Sequence, residues 1–90
     1  MNVSAPAQAP TVYCVMGEHP TTPGVPLIVC ATQERAQAEA ASLVNLIAAD
    51  SDLELAEATP ENWERVIAEL QDFHGAESCW VEVTAHQVLP

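Results

Sequence analysis

The sequence predicts an α+β fold: a three-stranded antiparallel sheet with two helices on one face, in the order β-β-α-α-β. Three observations carry it. Short apolar runs rich in β-branched residues lie at both ends of the chain, bounded by Gly and Pro. Between them lie two stretches in which apolar residues recur at helical spacing. Each of those stretches is preceded by a threonine suited to cap a helix, Thr32 and Thr59.

Residues 1–10 alternate small, polar and proline residues without an apolar period, and are expected to be a flexible arm before a single domain over 11–90. Residues 11–16, Thr-Val-Tyr-Cys-Val-Met, form the first expected strand, closed by Gly17. Both sets of alternating positions in it are apolar, so alternation leaves open which set faces inward. Residues 17–25 hold two prolines and two glycines and are expected to be a hairpin loop. The continuous apolar run at 27–31 predicts a second strand, antiparallel to the first, that is buried on both faces or centrally placed.

Thr32 followed by Glu34 predicts a helix start, and Ala36, Ala40, Leu43, Val44 and Ile47 form its inward stripe to about Ala49. Leu46 falls off that stripe and is expected to touch the next helix. In the connection that follows, Leu53 and Leu55 are expected to plug into the core between Asp52, Glu54 and Glu57. Thr59-Pro60-Glu61 is the strongest local signal: an N-cap, a proline in the first helical position and an acid in the first turn. The second helix is expected to run to about His74, with Gly75 ending it in a left-handed conformation and His74 serving as a capping or surface residue. At 78–88, Cys79, Val81, Val83 and Ala85 alternate with Trp80, Glu82, Thr84 and His86, which predicts a last strand with its first set facing the core. Trp80 is then on the outer face, covered by the arm or helix 2, or exposed as an anchor for a partner.

Charge is the outlier of the composition. Thirteen Asp and Glu stand against two basic residues, Arg35 and Arg65, for a formal net charge of −11, and there is no lysine. Such a surface repels nucleic acid and anionic lipid and is drawn to basic protein surfaces. Acidity that serves only solubility is the plainer alternative. The sequence carries no apolar run near the length of a membrane span and no signal-type leader, which points to a soluble cytoplasmic protein.

Cys14, Cys30 and Cys79 include no Cys-x-x-Cys pair, so buried free thiols are expected in preference to a metal site built with His19, His74 and His86. No nucleophile elbow, phosphate-cradling glycine loop or His-Glu helix motif is present, and the chain is expected to be neither an enzyme nor a cofactor protein. The remaining candidate is the acidic stretch. On a wheel of 100° per residue, Glu61, Glu64, Glu69 and Asp72 share one arc, while Trp63, Val66, Ile67, Leu70 and Phe73 lie opposite. Carboxylates three or four positions apart on a helix lie about 5–6 Å from one another, the scale of phosphate spacing. The expected partner-binding residues are therefore Glu54, Glu57, Glu61, Glu64, Glu69 and Asp72, with Trp80 as an apolar addition.

A chain with Met1 and no lysine, carrying the segment Ile28-Val29-Cys30-Ala31-Thr32-Gln33-Glu34-Arg35-Ala36 and the closing strand Trp80-Val81-Glu82-Val83, resembles the small acidic accessory proteins of bacteriophages, the anti-CRISPR proteins in particular. The resemblance covers residues 11–88 in architecture and carries no residue-level motif. It implies a non-enzymatic inhibitor in the host cytoplasm, bound to a basic nucleic-acid-binding surface of a CRISPR effector complex. The alternative is a small structural or regulatory module, monomeric or homodimeric, whose acidity serves solubility.

Overall fold

The computed structural model describes residues 10–51 and 53–89, so the arm expected over 1–10 lies, apart from Pro10, outside the described residues. The elements are β1 (Thr11–Glu18), β2 (Leu27–Cys30), α1 (Gln33–Ala49), α2 (Trp63–His74) and β3 (Trp80–Gln87). They form an α+β fold with one antiparallel sheet in the order β2-β1-β3.

The order of the sheet corrects one expectation. β1 is the central strand and β2 lies at an edge, with Leu27 58% and Val29 60% exposed. An apolar run alone does not distinguish a strand covered on both faces from one left open on the side away from the helices. β3 returns to the free side of β1, and both β1 neighbours are antiparallel.

The pairing also decides which face of β1 is inward. Tyr13 lies opposite Cys30 and Ala85, Val15 opposite Ile28 and Val83, and Gly17 opposite Val81. Val15, Gly17, Cys30 and Val81 are buried, and Tyr13, Ile28 and Val83 pack partly against the core. The inward set is therefore the odd-numbered one on β1. Val12, Cys14, Met16 and Glu18 share the outer face with Leu27, Val29, Trp80, Glu82, Thr84 and His86. Ala85, expected to face the core, is exposed, because it lies near the end of β3 beyond the best-covered part of the sheet.

Helix α1 begins as expected. The Thr32 hydroxyl accepts from the Arg35 amide at 3.1 Å, and the helix covers the sheet with Ala36, Ala40, Ala41, Val44 and Ile47. Small residues at 36, 40 and 41 let the helix axis approach the strands closely. Leu46 does not reach α2: it is 59% exposed and lies near Gly17, His19 and Pro26 on the side of the β1–β2 loop. Leu53 and Leu55 do pack against the core, and Asn45 of α1 holds the connection by exchanging bonds with the Ala58 backbone at 2.8 and 3.0 Å.

The start of α2 is shifted. Residues 60–62 are a turn and the helix proper begins at Trp63 with Asn62 as N-cap. The Thr59 carbonyl accepts from the amides of Asn62 and Trp63, while the Asn62 side chain accepts from the Thr59 amide at 2.7 Å. This is the return bond of a capping box around Thr59, made here by Asn62 where a Glu or Gln is usual. The far end is as expected: Gly75 has φ of +101° and its amide donates to the Gln71 carbonyl. Phe73, assigned to the apolar face by the wheel, is 60% exposed: it sits at the edge of the arc centred on Leu70, and the inward place in the last turn goes to His74. His74 is half-buried, and its Nε2 lies 2.8 Å from the Ser51 hydroxyl, so it ties α2 to the segment after α1.

Candidate functional site

The six carboxylates of the expected site all lie in or around α2. Glu54 and Glu57 are in the connection, Glu61 is in the turn before the helix, and Glu64, Glu69 and Asp72 are on α2 itself; all six are exposed. Helix α2 buries Trp63, Val66, Ile67 and Leu70 and turns the rest outward. Among the described residues the ion pair is Arg35–Glu39, and His19 donates a hydrogen bond to Asp50, so none of the six is paired with a cation among them. Among the described residues, the acidic residues that lie on strands are Glu18 and Glu82. Negative charge is thereby gathered on the helical side and the loops.

Trp80 is not part of that surface. It belongs to the outer face of the sheet, half-buried, with its indole N–H donating to Glu18 Oε1 at 2.9 Å across the β1–β3 pair. A rigid flat partner therefore cannot meet Trp80 and the outer side of α2 together, since the sheet lies between them. Trp80 instead joins Leu27, Val29, Met16 and Cys14 on a face that the two helices leave open.

The histidines and cysteines are spread out. Two backbone amides, of Thr21 and Thr22, donate to His19 Nδ1 at 3.1 and 3.0 Å, which leaves the proton on Nε2 to be donated to Asp50 at 2.8 Å. His19 thus clamps the β1–β2 loop to the end of α1. Cys14 faces outward while Cys30 and Cys79 face the helices, so the sheet separates the first thiol from the other two. Burial holds the Cys79 thiol above its ordinary value of 9.0, which keeps it protonated and unreactive at neutral pH. No group of three or more His, Cys, Asp or Glu is clustered as a metal-binding set among the described residues.

Sequence reasoning missed the main concavity, a groove of about 410 Å³ between α2 and β3. Tyr13, Gln33, Gln37, Trp63, Glu64 and Gln71 line it together with residues of β3. The Trp63 indole N–H donates to Gln37 Oε1, and Gln71 Nε2 donates to the Cys79 carbonyl at 3.0 Å. The glutamines at 33, 37 and 71 were the available signal, since each interrupts or borders an apolar stripe without carrying charge.

Fold and surface together define a two-layer α+β domain with an anionic helical side and an apolar open sheet face. No protein-family model, curated protein or solved structure matches the chain. Among the described residues no helix is long and apolar enough to cross a membrane.

Proposed function

We propose that this is a non-enzymatic interaction protein whose acidic surface around α2 docks on a basic, nucleic-acid-binding surface of a partner, as its resemblance to anti-CRISPR inhibitors implies for a CRISPR effector subunit. The observation that carries the reading is the set of six exposed carboxylates, Glu54, Glu57, Glu61, Glu64, Glu69 and Asp72, with no intramolecular ion pair among the described residues. An ordinary solvated helix mixes both signs of charge. A cationic groove that releases counterions on meeting polynucleotide gains in the same way from this surface.

Reversing Glu61, Glu64 and Asp72 together to lysine is expected to weaken binding to such a partner by at least a hundredfold, with an unchanged far-ultraviolet circular dichroism spectrum. Binding of the parent protein is expected to fall steeply between 50 and 200 mM salt. Affinity that ignores both the triple substitution and ionic strength would sink the proposal.

The outer sheet face favours a second reading, a homodimeric structural or regulatory module. Leu27 and Val29 lie exposed on the same sheet face as Met16 and Trp80, while both arginines lie on the helices. Sedimentation equilibrium would then report twice the 9.6 kDa chain mass, reverting to one copy in Leu27→Lys/Val29→Lys. A single-copy mass at 0.1 mM removes this reading.

A further inference from the structure

β3 is a long free edge. Its eight residues pair with β1 on one side, and the sheet ends there. In an antiparallel ladder each residue directs its N–H and C=O to the same side, and successive residues alternate. The Cys79 carbonyl accepts from Gln71 of α2, so positions of that parity face away from β1. Val81, Val83 and Ala85 then turn their N–H and C=O groups toward α2, while Trp80, Glu82, Thr84 and His86 exchange bonds with Glu18, Met16, Cys14 and Val12. The groove lies on that side, with Val81, Val83 and Ala85 on one wall and Trp63, Ile67 and Gln71 on the other. Among the described residues, no loop backbone or side-chain group bonds to those three strand positions.

Unpaired edges are usually blunted by lysine, proline, a bulge or shortness. β3 has neither lysine nor proline and is twice the length of the other edge, β2. Its edge is instead flanked by carboxylates: Glu64 and Glu82 line the groove, and neither of the chain's two cations does. We infer that this groove accepts an extended basic segment of a partner protein as a fourth strand beside β3. Backbone bonds to Val81, Val83 and Ala85 supply the pairing, Trp63 and Ile67 supply an apolar floor for one set of side chains, and Glu64 and Glu82 meet arginine or lysine at the rim. A second copy of β3 is a poorer occupant, because it brings two chains of charge −11 together with a Glu82 from each near the junction. The inference rests on the basic-partner reading above and specifies the form of the segment that is bound.

The test is amide hydrogen exchange read by NMR on the whole chain, with an alternating arginine–valine octapeptide as probe. In the free protein, amides of Val81, Val83 and Ala85 are expected to exchange faster than those of Glu82 and Thr84. The octapeptide is expected to slow the first three at least tenfold. The same peptide N-methylated at alternate residues, and a glutamate–valine octapeptide, are expected to bind at least tenfold more weakly. Val83→Pro, which removes one groove-facing donor and leaves the β1 side intact, is expected to act likewise. The N-methylated peptide makes the comparison even if that variant folds poorly.

The inference is overturned if the free protein lacks the alternation, or if the three amides gain protection by self-association without peptide. It is also overturned if the acidic peptide binds as well as the basic one. Should the basic peptide bind while perturbing only the outer side of α2, the edge proposal falls and the acidic-face reading stands. Conversely, salt-independent binding of the basic octapeptide alongside protected edge amides would overturn the pairing of Glu64 and Glu82 with basic side chains, and the inference with it.

Discussion

Trp63→Ala is expected to destabilise the domain by about 3–5 kcal/mol, the range for removing a buried aromatic ring from a core. Trp63 is 5% exposed, opens α2, and its ring meets α1 through the indole bond to Gln37. Removal leaves a cavity at the junction of the two helices and strands the Gln37 carbonyl without its donor. Small domains hold about 5–15 kcal/mol in total, so this loss consumes a large part of the stability. Trp63→Phe separates the two contributions: the ring is mostly kept and the hydrogen bond is lost, for about 1 kcal/mol. Urea unfolding followed by circular dichroism reads both, with the midpoint moving and the slope constant. A loss under about 1 kcal/mol for the alanine variant would show that the ring is not packed in the core.

Gly17→Ala is expected to destabilise by about 1–3 kcal/mol, although alanine normally gains from a stiffer unfolded chain. A methyl group built at Gly17 would stand 2.9 Å from the Trp80 carbonyl oxygen, 3.1 Å from Val81 Cγ2 and 3.4 Å from Leu43 Cδ1. The first of these is backbone in the paired strand and cannot rotate away, so β1 and β3 must separate locally or α1 must lift. Gly17→Val is expected to be worse by the added bulk. Gly24→Ala provides the contrast: nothing lies within 4 Å of the added carbon there, and its φ of +105° makes any loss a backbone effect. Equal or higher stability of Gly17→Ala than of the parent in urea would show that the strands are not held that close.

The two failures of helical-wheel reasoning share a cause. Angle alone puts Phe73 on the apolar face and Leu46 off its stripe, yet a wheel does not say how wide an arc the neighbouring layer covers or what lies beside it. Phe73 lies in the last turn of α2 at the edge of its buried arc, and Leu46 points toward the β1–β2 loop. The carboxylates of the candidate site were legible because exposure is the default for charge, and their spacing on α2 needs only the helix. The groove was not legible, because it is made by α2 and β3 together and no local pattern encodes which edge strand a helix overhangs. The same holds for Trp80: its alternation with Val81 placed it on the outer face, but the bond to Glu18 depends on a pairing of residues far apart in sequence.

By itself the amino-acid order determined the five elements, their order, the cap at Thr32, the stop at Gly75 and the net charge, since each depends on neighbours within a few residues or on composition. Only the tertiary structure decided that β1 is central, that its odd-numbered residues face the helices and that β3 offers a free edge under α2. The reason is that strand order and facing are chosen by which long-range arrangement buries the most apolar surface without leaving Gly17 crowded. That choice involves residues from every element at once.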